Sequence, residues 1–361
     1  MNKKSTILFL LLFQLMSLVS QNNYRNYHES IINAENLIFL EKDSIGGLKI
    51  FENTFNQFDF VFVDDCIEAF QLALLFKQDD YAMIFIKKAI ENGFETEKLS
   101  LLKYRCIPCT TEEIKNSKTT IYIPFLAKNN KYLKEYEDKT FNNNLLRINR
   151  DLFIKIHIRH FKEQLYKNGH KELVQNGSNQ NIIYKSISDS NLNFIDSLYN
   201  LGIFLGERNL GIYTNKLAKS LHFPFDSIQG FAIDYFKKLN LPVLEVPHVT
   251  DYEYFGGNAI SIIMFHNQQS IAKLQKYWDK AIENGYMHPK EFAMTLGNTK
   301  GNVLYNDMML DGILNETKKR EIANNLRKQY LLPSVEIDAE KLKFEKKYHI
   351  QLFFGLFGTS R

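Results

Sequence analysis

Apolar residues in this chain recur at spacings of three and four rather than two, and only seven prolines and 17 glycines interrupt its 361 residues. That period draws one apolar stripe along a helix, whereas a half-buried strand would alternate at every second residue, so an all-α fold is expected. Hydrophobic residues at 45% and charged residues at 24% suit a chain that buries a core. The same balance excludes collagen-like, low-complexity and disulfide-dense classes. The aromatics comprise 29 Phe and 19 Tyr against one Trp, material for filling gaps between helices rather than a sugar-stacking platform.

The stripes fall into a repeated arrangement. Ala34, Leu37, Ile38 and Leu40 precede a break at Asp43 to Gly47, after which Leu48, Phe51 and Phe55 form the next stripe. Ala69, Leu72, Ala73 and Leu75, a break at Gln78 to Asp80, and Ala82, Ile86, Ala89 and Ile90 follow it, with Leu37 aligning on Leu72 and Phe51 on Ile86. The common offset lies close to the ~34-residue tetratricopeptide period, and residues 24–105 resemble a pair of such helical hairpins. A plain helical hairpin bundle fits the same stripes. Pro108, the polar run Asn116 to Thr120 and the extended-looking Ile121-Tyr122-Ile123-Pro124 mark 106–135 as a linker. A larger helical domain is expected over 136–345, with a loop at Asn168 to Asn181, and then an apolar tail over 346–361 docked on the body. The heptapeptide Lys-Ala-Ile-Glu-Asn-Gly-aromatic occurs at 88–94 and at 280–286. Gly93 and Gly285 within it are expected to end helices in the left-handed conformation.

The first residues read as an export signal. Lys3 and Lys4 precede the apolar run Ile7–Phe13, which continues through Leu15, Met16, Leu18 and Val19 to a small Ser20. Cleavage after Ser20 is expected, giving a periplasmic or secreted protein with no integral membrane segment in the mature chain, because no later apolar run reaches the ~18 residues needed. Without Lys3 and Lys4 the 45 basic residues fall to 43 against 41 acidic ones, too even a balance for a nucleic-acid partner. In an oxidising compartment Cys106 and Cys109 are candidates for a small loop disulfide, with Cys66 as the third cysteine.

Residues from about 140 to 300 resemble an uncharacterised domain family of exported bacterial proteins, often preceded by a tetratricopeptide-like region. The likeness rests on Asn144–Arg159, on Leu198 to Glu207, and on Met264-Phe265-His266 followed by Tyr277–Ala293. Asp151 and Lys155 stand at the first family motif, Gly202, Phe204, Gly206 and Glu207 at the second, and His266 at the third. Leu152, Ile203, Leu205 and Gly297-Asn298 depart from the pattern. The resemblance implies architecture and no established activity.

Candidate chemistry is sparse. His266 ends an apolar run and could act as a general base if an acid orients its ring, with Asp151 and Glu207 as the acids; a core histidine bonded to backbone is the commoner role for such a residue. Lys155 and Arg159 follow Asp151 at four-residue intervals and share one helix face, either as a surface ion-pair ladder or as binding residues of a polar pocket. His157 and His160 are three apart but surrounded by Lys155, Arg159 and Lys162, and no metal site or cofactor is expected. No phosphate loop, nucleophile elbow or His-Glu-x-x-His occurs. The expected function is non-enzymatic, a protein- or peptide-binding scaffold module of the cell envelope, with an envelope hydrolase using His266 as the alternative.

Overall fold

Two helical hairpins open the structure. Helix α1 (Tyr24–Asn36) is capped by Asn23, whose side-chain oxygen accepts the Arg25 amide at 2.9 Å. It runs into a π-helical turn at Leu37–Glu41. Helix α2 (Ser44–Gln57) starts immediately after, with Asp43 accepting the Gly46 amide at 2.9 Å. The break expected at Asp43 to Gly47 is therefore narrower than the glycines suggest, since Gly46 and Gly47 are helical. Gly47 serves close packing: an added Cβ would lie 2.4 Å from the Ile38 side chain and 2.8 Å from the Ala34 carbonyl. Helices α3 (Val63–Leu75) and α4 (Asp79–Glu91) form the second hairpin. Helix α4 ends as expected: Gly93 has φ of 103°, its amide bonds Ile90 O, and the Phe94 amide reaches back to Ala89 O.

The computed structural model describes residues 23–100, 122–175, 181–240, 259–267, 269–300, 314–348, 350 and 352, and these contain helices and no strand. The expected signal over 1–20, the Cys106 and Cys109 pair and most of the apolar tail lie outside the described residues. Cys66 is buried with a free thiol.

Helix α5 (Tyr122–Arg147) packs along α4. From Tyr122 onward the extended reading gives way to a helix, with Pro124 in its first turn, where a missing amide costs nothing. Helix α6 (Arg150–Gln175) runs through most of the loop expected from Asn168, since one interior glycine, Gly169, costs a helix only ~1 kcal/mol. Then come α7 (Asn181–Asn200), the short α8 (Glu207–Leu210) and α9 (Asn215–Ser220), and α10 (Phe225–Lys238). The chain closes with α11 (Ala259–His266), α12 (Ser270–Glu283), α13 (Pro289–Lys300), α14 (Thr317–Gln329) and α15 (Val335–Tyr348).

Apolar burial divides into two main clusters. The first joins α1 to α4 with Phe125 and Leu133 of α5. The second is centred on α6, α7 and α10 to α12, with Phe153, Ile156, Leu192, Ile195, Ile263 and Trp278 almost fully buried. The last helix returns to the first cluster: Ile337, Ile350 and Leu352 join it, and the Phe344 ring meets that of Phe39 at 5.3 Å. The tail is thus docked as far as it is described.

Candidate functional site

Helix α6 lies beside α7, and α10 packs on it as well. An open groove of about 610 Å3 runs along this junction, lined by Lys155, Arg159, Lys162, Asn191, Phe194 and Phe231 among others. Its size falls within the ~300–1,000 Å3 of ordinary ligand sites. The three cations follow one another at four and three residues on α6, so one face of the helix carries them all. No carboxylate is among the described lining residues. Two of the cations lie over aromatic rings, Arg159 at 4.2 Å from the centre of Phe194 and Lys162 at 4.8 Å from that of Phe231. Such stacking holds the cationic heads against the wall while leaving their charge available to a ligand.

A polar chain leads from this wall into the interior. Arg159 donates to Asn191 Oδ1 at 3.2 Å, and the Asn191 amide donates to Glu163 Oε2 at 2.5 Å. Glu163 Oε1 stands 3.1 Å from His266 Nδ1, and Lys167 Nζ is 2.7 Å from His266 Nε2. These partners assign the ring proton to Nδ1. Burial pulls the nearby His160 down to about 4, so it is neutral at pH 7.

Lys155 and Arg159 therefore line one groove together. His266 does not join Asp151 or Glu207. Asp151 is exposed in the first turn of α6, and the acid that reaches His266 stands twelve residues further on, about 18 Å along the same helix. With both ring nitrogens engaged, His266 has no free base to present to a substrate. His157 bonds the Phe153 carbonyl through Nδ1 at 2.8 Å.

Glu207 belongs to a buried ionic seam on the other side. Phe62 offers α3 no side-chain cap, and Glu207 supplies one from α8, its Oε1 accepting the Val63 amide at 2.9 Å. Burial pushes its carboxyl up to about 8 against the pull of the Val63 amide and Arg147. Asp64 is also raised, by burial and then by the charge of Glu207. Further along α3, Lys341 of α15 pairs with Glu35 and with Glu68 at 2.6 Å, while Lys290 of α13 stands 3.6 Å from Glu68. Asp64 and Asp65 stand in the first turn of α3 and are buried within this seam.

No family model, curated protein or solved structure matches this chain. Among the groove residues overlooked in the sequence were Lys162, Phe194 and Phe231. Lys162 extends the spacing already seen at Lys155 and Arg159, whereas the two rings come from other helices and carry no local signal.

Proposed function

We propose that this protein is a non-enzymatic binding module whose α6/α7/α10 groove holds an acidic, aromatic-bearing segment of a protein partner. One observation carries the reading: three cations on one helix face line a groove whose described walls contain aromatic rings and no carboxylate. An acidic side chain would meet Lys155, Arg159 or Lys162, and an aromatic one would meet Phe194 or Phe231, so charge and shape ask for both in one ligand. The two N-terminal hairpins, read as a tetratricopeptide-like pair, provide the scaffold character, and the leader-like first twenty residues support an envelope or extracellular location. No described helix is long and apolar enough to cross a membrane. The hydrolase alternative has less support, because Glu163 and Lys167 occupy both nitrogens of His266.

Fluorescence anisotropy with a dye-labelled peptide of alternating Glu and Phe tests this. Saturable binding that weakens with salt, with a Lys-and-Phe peptide failing to bind, is the expected result. Equal binding of both peptides, or of neither, would refute it.

A further inference from the structure

The ionic seam contains a feature that charge pairing does not explain. His28 of α1, Asp65 of α3 and His288, just ahead of α13, come together with 2%, 1% and 6% of their surfaces exposed. His28 Nε2 is buried and without a hydrogen-bond partner, while Asp65 Oδ1 and His288 Nε2 face one another in a long contact. One donor atom from each of the three residues lies within 4.8 Å of the other two, and Asp65 Oδ1 stands 3.4 Å from His288 Nε2. Donor atoms at ~2.0–2.1 Å from a tetrahedral ion stand ~3.3 Å apart, so one edge of such a site is already formed and the others close with side-chain movements of about 1 Å.

The surroundings fit a cation. Asp65 Oδ2 accepts the Tyr27 hydroxyl at 2.8 Å, which turns Oδ1 toward the two histidines. The His28 and His288 rings meet edge to face at 4.9 Å, and Phe62 packs against both, at 5.4 and 5.0 Å. A buried polar nitrogen left without a partner is destabilising, so His28 Nε2 has reason to find a ligand.

We propose that His28, Asp65 and His288 form a binding site for a zinc-class divalent ion that fastens α1, α3 and α13 together. Two imidazoles and one carboxylate suit zinc and its neighbours rather than calcium or magnesium, which take oxygen ligands. Three protein ligands leave the fourth position to water. His288 Nδ1 accepts the Lys290 amide at 3.1 Å, placing the ring proton on Nε2. On loading, that proton moves to Nδ1, and the amide contact, which spans only two residues, is given up. The ring stays neutral and no proton is lost from it. The ligands lie at positions 28, 65 and 288, which is why no spacing in the sequence discloses them.

The test uses the full chain without an affinity tag, stripped with EDTA and dialysed, then titrated with Zn2+ by calorimetry. One Zn2+ per chain is expected, with the apparent unfolding constant falling about 100-fold once free Zn2+ is 100 times the dissociation constant. His28→Gln and His288→Gln should each weaken binding by more than ~100-fold. Should either variant fail to fold, the wild-type protein loaded with Co2+ decides the matter, since a tetrahedral site gives intense visible absorption that Zn2+ abolishes. Absence of stoichiometric Zn2+ binding, undiminished binding by a folded variant, or a weak octahedral Co2+ spectrum would overturn the proposal.

Discussion

The substitution Glu207→Gln isolates the cost of a buried carboxylate from that of its hydrogen bond. The introduced carboxamide would keep an oxygen for the Val63 amide, now 2.9 Å from Glu207 Oε1, and could not ionise. The groups that face this carboxyl are Asp64 and Asp65 of α3 and Arg147 of α5. Burial raises its proton affinity from the ordinary 4.5 to about 8, so the folded chain holds the proton more tightly than the unfolded one. The contribution is fully present below pH 4.5 and is lost as pH rises through about 8. Each pH step between those values removes about 1.4 kcal/mol, on the order of 4–5 kcal/mol in all. The variant should therefore match the wild type near pH 5 and exceed it by several kcal/mol near pH 9. Relief of the charge beside Asp64 acts in the same direction. Urea unfolding of EDTA-treated protein, followed by the fluorescence of the single Trp278, which is 2% exposed, measures this. Parallel stability profiles for the two proteins across that range would refute the reasoning.

Lys341 is fully buried between Glu35 and Glu68, so Lys341→Met should cost about 3–5 kcal/mol in the same assay by stranding Glu35 and leaving Glu68 with Lys290 alone. Adding Glu35→Gln to that variant should restore part of the loss. Gly285→Ala should destabilise more than Gly202→Ala. Both glycines have positive φ, 69° and 75°, which costs an alanine about 1–2 kcal/mol. Only at 285 would the new Cβ also lie 2.7 Å from the Tyr24 ring, whereas position 202 faces open space.

Helices that bury one stripe were legible in the sequence. Ser270 to Asn284, for example, carries Leu274, Trp278, Ala281 and Ile282 on the face that became core. The helix ends at Gly93 and Gly285 were legible for a backbone reason, the left-handed residue that only glycine adopts freely. Half of the groove could be read, since Lys155 and Arg159 share a face by spacing alone. Its aromatic wall could not, because Phe194 and Phe231 arrive from α7 and α10 through tertiary packing. His266 was singled out correctly as a polar residue in an apolar setting, yet its acid was misassigned. Nothing local distinguishes Glu163 from Asp151 until α7 and α11 close over α6. The buried seam was invisible for the same reason, its members being separated by up to 306 residues.

The claim that the groove selects a ligand by charge is tested most directly by reversing that charge. A Lys155→Glu, Arg159→Glu, Lys162→Glu triple variant changes only side chains that line the groove and should keep its fold, as judged by circular dichroism. In anisotropy titrations it should lose the Glu-and-Phe peptide by at least ~100-fold and acquire binding of the Lys-and-Phe peptide. If the folded variant still binds the acidic peptide as the wild type does, the groove is not where that peptide binds and the account is wrong.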